Sequence, residues 1–414
     1  MRKKNFILLL TALVSLLLLF PLPSSAQLIL GQYEDEAPLG SWNQYGLING
    51  FSAGMGGVLF AASSDCSSSL SNPALLSFLP KFTLSLNSSY SSSALFKYAI
   101  INTGVLTTDK NAFINVYAID FGGVSLRWKG WTISFSRALS ELYDRPSAVQ
   151  TYYYKGKLYY RLNFDQEGHL MTTHISAARA FGRRLSIGIG LNFISGRLTK
   201  NTKEEWVSSN ITITDDKSFA FKGQYINGGL WLRISEKWAA AAIFRMPFKK
   251  RAEAESSYRH LSPAGNTDIS IDASAENRYP QPLVLGVGLS FQPSPKFRLL
   301  SDVSFFNWSG YEITYFEERI KRNFRDTFKW GAGFEYLSAV VVFGEEFTVP
   351  LRGGFSYDPQ PMREPRSSYY YFSMGTGLRW RNVSLDAGTF FGSESGSGTS
   401  LSAKRICISL SFWL

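Results

Sequence analysis

Three histidines and two cysteines are the residues of this 414-residue chain whose side chains could most readily do chemistry. His169 and His174 fall in or beside one predicted strand but differ in parity, so their side chains point to opposite faces. None of the histidines, including His260, stands near Cys, Asp or Glu at the spacing of a metal site. Serine-elbow and H-E-x-x-H motifs do not occur. The pattern predicts a non-enzyme without metal or cofactor, although a hydrolytic pairing of a serine with His174 stays open.

Cys66 and Cys407 are the two cysteines, and they lie near opposite ends of the chain. Cys66 precedes the first predicted strand, and Cys407 lies on the small-residue face of the last one. They could form a disulfide in an oxidising compartment if the early segment folds back against the last strand. The alternative of two free thiols is favoured, because a bridge requires Cα atoms within ~7 Å and the sequence does not place them there.

The N-terminus predicts export. Arg2, Lys3 and Lys4 precede an apolar core at 6–20, and Ser24-Ser25-Ala26 forms a small-residue cleavage site. This is the pattern of a secretory signal peptide at 1–26. A membrane anchor is the alternative, but the apolar core is shorter than the ~20 residues that a spanning helix needs.

The composition of the remaining chain is typical of a barrel wall that faces lipid. The chain is 45% hydrophobic and 15% aromatic, has 35 glycines, and is only 18% charged, against about 25% in soluble domains. Its net charge of +11 is spread along the chain without a basic tract, which argues against nucleic-acid binding. Export from the cytoplasm argues against it further.

Strict alternation of apolar and small polar residues predicts the strands. Clear examples are "LSIGIGLNF" at 185–193, "LVLGVGLSF" at 283–291 and "ICISLSFWL" at 406–414. An apolar face opposite a face of Gly, Ser and Asn suits a wall with lipid outside and a polar interior. About fourteen strands are predicted. They lie near 82–90, 112–128, 131–142, 169–181, 185–197, 221–234, 238–250, 281–292, 296–308, 327–337, 346–358, 370–380, 383–392 and 403–414.

The connections between these strands alternate in length. Tight turns such as Lys129-Gly130 and Arg381-Asn382 alternate with long polar loops at 143–168, 198–220, 251–280 and 309–326. Short turns at one end, long loops at the other and an even strand count predict an all-β, antiparallel transmembrane barrel of the outer-membrane type. A large secreted β-sandwich is the rival fold, but its outer face would carry more charge.

Four stretches of the chain carry a resemblance to a known family. They are "GFSAGMGGVLFAASSDCSSSLSNPALLSF", with Asn72, Pro73 and Ala74; "YPQPLVLGVGLSFQPSPKFRLLSDVSFFNWSGYE", with Asp302; "FKWGAGFEYL"; and "VPLRGGFSYDPQP", with Arg352. Together they resemble the FadL family of outer-membrane transporters for long-chain fatty acids and other hydrophobic compounds. The first stretch resembles the family's N-terminal hatch with its Asn-Pro-Ala motif, the next two resemble successive family strands, and the last resembles the family's Arg-Gly-Tyr-Asp-Pro-Pro stretch.

The resemblance implies the domain organisation and the function. It implies a hatch at 27–80, inside the lumen of a barrel at 81–414. Since about fourteen strands enclose more space than wall side chains fill, such a barrel must leak or be plugged. The alternative to a hatch is that this segment is a disordered periplasmic tail. The implied function is capture of a long-chain fatty acid or another hydrophobic compound, followed by release through the wall. The alternative is a FadL-related accessory barrel for protein secretion, which would bind a partner protein instead.

The implied mechanism also suggests residues and partners. Gly122-Gly123 is the local candidate for a kink at the lateral opening, because glycine in a strand often marks a bulge. Arg352 has lumen parity and could hold an acidic headgroup; alternatively it pairs with a wall carboxylate such as Asp302 and is structural. The expected partners are a hydrophobic ligand, outer-membrane lipid and the barrel assembly machinery, and the expected state is a monomer.

Overall fold

The computed structural model describes residues 49–62, 65–94, 113–143, 145–262, 267–342, 344–364, 366–396 and 402–414. The predicted signal peptide at 1–26 and the first part of the predicted hatch lie outside the described residues. Across the described ranges, no helix has both the length and the apolar character needed to span a membrane.

Among the described residues, three short helical elements precede the β-structure. The helical elements are α1 (Gly50–Ala53), α2 (Ser68–Ser71) and a 3₁₀ helix (Pro73–Phe78). The β-segments are β1 (Phe82–Ala94), β2 (Phe113–Trp128), β3 (Trp131–Leu142), β4 (Arg145–Tyr154), β5 (Lys157–Phe181), β6 (Leu185–Trp206), β7 (Ile211–Arg233), β8 (Trp238–Arg245), β9 (Phe248–Leu261), β10 (Thr267–Gln281), β11 (Val284–Ser294), β12 (Phe297–Phe306), β13 (Glu312–Tyr315), β14 (Glu318–Lys321), β15 (Thr327–Val342), β16 (Glu345–Pro359), β17 (Ser368–Trp380), β18 (Val383–Ser395) and β19 (Ser402–Trp413).

These segments form one closed antiparallel sheet. β1 pairs with β2 on one side and with β19 on the other, so the sheet has no free first or last strand. Five wall strands consist of two segments each: β3–β4, β8–β9, β10–β11, β12–β13 and β14–β15. The break between β8 and β9 falls at Met246-Pro247, where proline lacks the N–H that a ladder needs. The predicted antiparallel barrel is confirmed, with 14 wall strands.

The predicted faces of the wall are confirmed by exposure. On β6, Ile187, Ile189 and Leu191 are exposed, whereas Gly188 and Gly190 between them are buried. The outward apolar residues of β6 run from Leu185 to Phe193, a rise of about 26 Å along the strand. This length suits an apolar band ~25 Å tall, so the exposed side chains form the lipid-facing belt of a membrane-spanning barrel.

The prediction of long polar loops between the strands needs correction. Much of 143–168, 198–220 and 251–280 is β-structure, because β4 to β7, β9 and β10 continue far beyond the apolar belt. β6 and β7 stay paired as far as Trp206↔Ile211. Both faces of this extension can meet water, so its sequence needs no apolar face and lacks the alternation that marks a strand. The opposite end has the tight turns, which face the periplasm in such barrels.

Charge placed in the belt tests the assignment of the faces. We predict that Ile189→Arg, on the exposed face of β6, destabilises the barrel by about 2–4 kcal/mol, since it places a cation in the hydrocarbon. Ser195→Arg lies on the same face of the same strand, beyond the belt, and should cost about 0–1 kcal/mol. Denaturant titrations of folding into lipid vesicles measure both free energies of unfolding. Equal costs for the two variants would contradict the assignment.

Candidate functional site

The inner segment, which we define as residues 49–62 and 65–80, lies inside the barrel. Its backbone N–H groups donate to wall side chains on well-separated strands: Gly50 to Ser409 Oγ (2.7 Å), Gly56 to Ser373 Oγ (2.6 Å) and Leu59 to Asp302 Oδ2 (2.6 Å). These acceptors belong to β19, β17 and β12, which stand at different places around the ring. A segment that reaches all of them must occupy the lumen.

The Asn72-Pro73-Ala74 motif fits into a notch made by two wall glycines. Gly188 of β6 and Gly229 of β7 are directly opposite each other in the ladder. A methyl group at Gly229 would overlap the side chain of Asn72, and one at Gly188 would overlap the backbone of Pro73. The pair of glycines therefore lets the inner segment contact the wall backbone directly.

Asn72 holds the motif in this notch through three hydrogen bonds. Its Oδ1 accepts from the N–H of Ala74 (3.1 Å) and so caps the 3₁₀ helix. Its Nδ2 donates to the carbonyl oxygens of Phe60 (2.7 Å) and of Leu230 in β7 (3.3 Å). Pro73 stands at the first helical position, where its missing N–H costs nothing. The motif thus joins two parts of the inner segment to one wall strand.

Arg352 is buried in an ionic network, and its partners differ from the predicted one. Its Nε lies 2.8 Å from Glu335 Oε2, its Nη2 lies 2.6 Å from Asp386 Oδ1, and its side chain has no exposed surface. The guanidinium also stacks on Phe51 of α1, 4.9 Å from the ring centroid. Asp302, the carboxylate proposed from the sequence, instead accepts from the inner segment. An acidic headgroup would therefore have to displace a carboxylate from Arg352.

The two cysteines do not form a disulfide and belong to different hydrophobic clusters. The N–H of Cys66 donates to Ser85 on β1 (3.1 Å), whereas Cys407 is opposite Ser89 on the same strand. Those two β1 positions are about 13 Å apart along the strand, which is too far for a disulfide. The structure therefore contradicts a disulfide between Cys66 and Cys407.

The histidines are not brought together. His174 is buried and His169 is exposed, as their parity predicts. His174 Nδ1 lies 2.5 Å from Asn192 Oδ1, Asn192 donates to Asn227 (2.9 Å), and Asn227 donates to the carbonyl of Ser69 (3.1 Å). This chain of contacts links the wall to the inner segment. Within the described residues, no group of three or more His, Cys, Asp or Glu side chains could hold a metal ion.

The proposed kink at Gly122-Gly123 needs correction, because both glycines lie in a regular ladder. They pair with Leu86 and Ser85 of β1 and with Arg137 and Ser136 of β3. Two β-bulges lie near these glycines, one in β2 and one in β3. Asp120 is the extra residue in β2, since Asn87 pairs with Phe121 but Ser88 pairs with Ile119. The Asp120 carboxylate lies 2.9 Å from the guanidinium of Arg405, and both side chains are buried.

Ser140 is the extra residue of a second bulge, in β3. Leu139 pairs with Met171 of β5, but Glu141 pairs with Leu170. The ladder between β2 and β3 runs only from Trp128↔Trp131 to Phe121↔Ala138. Beyond Ala138 the described residues of β3 pair with β5 alone. Among the described residues, the wall is therefore unpaired between β2 and β3 beyond Phe121 and Ala138.

The end of β3 turns into the lumen, and the sequence analysis did not predict this turn. The ring of Tyr143 stacks on Phe221 of β7, with 5.9 Å between centroids. Its hydroxyl donates to Glu141, and Glu141 Oε1 lies 2.6 Å from the Nζ of Lys250 in β9. All four side chains are buried. The sequence does contain a signal for this turn. The alternation of "WTISFS" at 131–136 stops in "ALSELY" at 138–143, where apolar residues occupy both odd and even positions.

A small cavity lies beside this bulge, at the boundary between the inner segment and the wall. Its volume is about 30 Å³, enough for a few solvent molecules. It is lined by Leu70, Ala138, Leu139, Ser140, Glu141, Thr172, Ile194, Tyr225, Arg245 and Phe248.

An aromatic cluster adjoins the cavity and lines the lumen beyond the inner segment. Its buried rings are Tyr143, Phe219, Phe221, Tyr279, Trp308, Tyr311 and Phe324. These rings offer an apolar surface next to the unpaired part of the wall, and we take them with the cavity as the candidate site.

The glycine notch generates a test of the inner segment. We predict that Gly229→Ala displaces the segment and raises ion conductance in planar bilayers, since the new methyl group overlaps Asn72. Gly223→Ala is the matched control: it lies on the same face of β7, and its methyl group would meet atoms no nearer than 3.6 Å. If both variants conduct like the intact protein, the segment does not block the lumen.

Comparisons with known proteins place the fold. No protein-family model matches the chain, and no curated protein matches it. Among solved structures, a FadL homologue of Pseudomonas aeruginosa is 14% identical, with a TM-score of 0.63 over 90% of this chain and 98% of that one. The Ralstonia pickettii toluene transporter TbuX is 14% identical, with a TM-score of 0.61 over 90% of this chain and 100% of that one. The Pseudomonas putida toluene transporter TodX is 13% identical, with a TM-score of 0.58 over 88% and 97%. The chain therefore has the fold of the FadL homologue and of these transporters, that of a multi-pass outer-membrane β-barrel.

Proposed function

We propose that this protein transports a small hydrophobic compound across the outer membrane and releases it sideways through the wall between β2 and β3. The observation that carries the proposal is the end of the β2–β3 ladder at Phe121↔Ala138, directly beside the internal cavity. A ligand in that cavity would have Ala138 to Glu141 on the wall side. The inner segment fills the lumen below, which favours a lateral exit over an axial one.

The chemistry of the lumen favours a ligand with a large apolar surface. Buried aromatic rings such as Phe219 and Tyr311 line the approach to the cavity. Three lumenal cations are each held by a carboxylate: Lys250 by Glu141, Arg352 by Glu335 and Asp386, and Arg405 by Asp120. Arg352, the residue proposed to hold an acidic headgroup, is therefore already paired with carboxylates of the protein. Neutral hydrophobic compounds therefore suit the lumen better than a long-chain acid bound through Arg352.

The structure represents a closed state of this pathway. A cavity of about 30 Å³ is too small for an aromatic hydrocarbon, so binding requires side chains at the bulge or the inner segment to move. Leu70 of the inner segment and Leu139 of β3 face the cavity from opposite sides. Movement of either residue would enlarge it. TbuX and TodX, which share the fold, are toluene transporters, and this supports the same class of ligand.

The β3 bulge provides the test of lateral release. Deleting Ser140 removes the extra residue, so β3 can continue its pairing with β2 and close the wall. We predict that the deletion abolishes uptake of a hydrophobic compound by cells, while the barrel still folds and stays closed to ions. Ser140→Ala keeps the bulge and should retain uptake. Normal uptake by the deletion variant would mean that the ligand leaves by another route.

Dependence on ligand length tests whether the lumen binds hydrophobes at all. We predict that affinity for a series of n-alkylbenzenes rises about fourfold per CH₂ until the site is filled, since each buried CH₂ contributes ~0.8 kcal/mol. Fluorescence titration of purified protein measures the series. Replacing the terminal methyl by a carboxylate should not increase affinity. A flat series would contradict transport and favour the accessory barrel for protein secretion, which should instead copurify with envelope proteins.

A further inference from the structure

A row of cations crosses the outer surface of the barrel just beyond the apolar belt. Lys222 of β7 is directly opposite Arg251 of β9, which is directly opposite Arg278 of β10. Arg278 is opposite Thr314 of β13, which is opposite Arg319 of β14. We call Lys222, Arg251, Arg278 and Arg319 the basic row. All four side chains are exposed.

The basic row lies at the edge of the lipid-facing surface. The belt ends with Phe244 of β8 and with Met246, which follows β8; their side chains are 40% and 46% exposed. The N–H of Met246 donates to the carbonyl of Ile226, so these two residues mark the same level. Lys222 is four residues beyond Ile226 on β7, about 13 Å along the strand. Lys249 is exposed between the belt and the row. The row therefore stands at the depth of lipid headgroups on the side with the long strand extensions.

The charges of the row are only partly balanced by the protein. Lys222 lies 3.0 Å from Glu253, and Arg278 lies 2.8 Å from Glu276. The hydrogen bond from Arg278 lowers the pKa of Glu276, and the charge of Arg251 adds to the lowering, so this carboxylate stays ionised. With Lys249 included, two of these five cations each form an ion pair among the described residues. Like charges directly opposite each other on adjacent strands are destabilising, so an external anion would stabilise the arrangement.

We propose that the basic row binds the phosphorylated headgroup of an outer-leaflet lipid. Guanidinium groups match the geometry of phosphate oxygens, and adjacent strands place neighbouring side chains about 5 Å apart, so two cations can share one phosphate. The belt below the row takes the acyl chains of the same lipid. A soluble anion would have no contact with the belt, which is why the position favours a lipid. This site is on the outer wall and does not depend on transport through the lumen.

Lipid retention tests the proposal. The full-length protein is placed in phosphatidylcholine nanodiscs that contain a few per cent of bis-phosphorylated lipid A, or of the same lipid after removal of its phosphates. Native mass spectrometry measures how much of each lipid stays bound. The intact protein should retain the phosphorylated lipid preferentially. The triple variant Lys222→Gln, Arg251→Gln, Arg278→Gln should retain it at least about tenfold less, since cations near the membrane surface supply the attraction.

The matched control removes the same charge from the same outer face. Arg161→Gln, Lys203→Gln, Arg259→Gln changes exposed or half-exposed cations further from the belt; Arg259 is eight residues, about 26 Å, beyond Arg251 along β9. This control should bind like the intact protein, and gel mobility before and after heating checks folding of both variants. Equal retention by the two triple variants, or equal retention of the dephosphorylated lipid, would overturn the proposal. Displacement of the lipid by inorganic phosphate, but not by chloride at matched ionic strength, would assign the row to a soluble anion instead.

Discussion

The structure depends on satisfying the backbone of a buried chain segment whose regular secondary structure is limited to three short helical elements. A buried N–H or C=O group without a partner costs about as much as a lost hydrogen bond, and the inner segment has many such groups. The wall supplies the partners: Ser409, Ser373 and Asp302 accept from its N–H groups. Glycines such as Gly188 and Gly229 let the two backbones approach closely enough for these bonds. The small, polar lumen face of the strands is therefore a binding surface for the segment rather than the wall of an open channel.

Charge in the lumen follows the same constraint. Arg298, Glu335, Arg352, Arg379 and Asp386 form one network in which each arginine contacts at least one carboxylate. The guanidinium groups of Arg298 and Arg352 both lie over the ring of Phe51, at 5.5 and 4.9 Å from its centroid. A buried charge is tolerated only when it is paired. Displacing α1 would remove the aromatic ring from the network and expose it to water. Movement of this end of the inner segment should therefore be more costly than movement of side chains near Leu70, beside the β3 bulge.

The bulge at Ser140 joins the fold to the proposed function. It ends the β2–β3 ladder, sends Tyr143 into the lumen and places the cavity against the wall. Two interactions favour the inward course of β3: the stacking of Tyr143 on Phe221 and the buried pair of Glu141 with Lys250. The FadL homologue, TbuX and TodX are only 13–14% identical to the chain. Low identity is compatible with a common fold here, because the outer face requires only apolar side chains and the strands pair through their backbones.

The sequence by itself determined the barrel, its strand number, its lipid-facing parity and the motif at Asn72, because period-two alternation and tight turns are local features. It did not determine the strand extensions beyond the membrane, since water on both faces removes the alternation. Only the tertiary structure decided which residues meet. Arg352 pairs with Glu335 and Asp386 rather than with Asp302, and Cys66 lies apart from Cys407. The unpaired part of the wall lies along the end of β3 rather than at Gly122-Gly123. These contacts depend on ladder register and on the path of the inner segment across the lumen. Both join residues distant in the chain, so no local pattern encodes them.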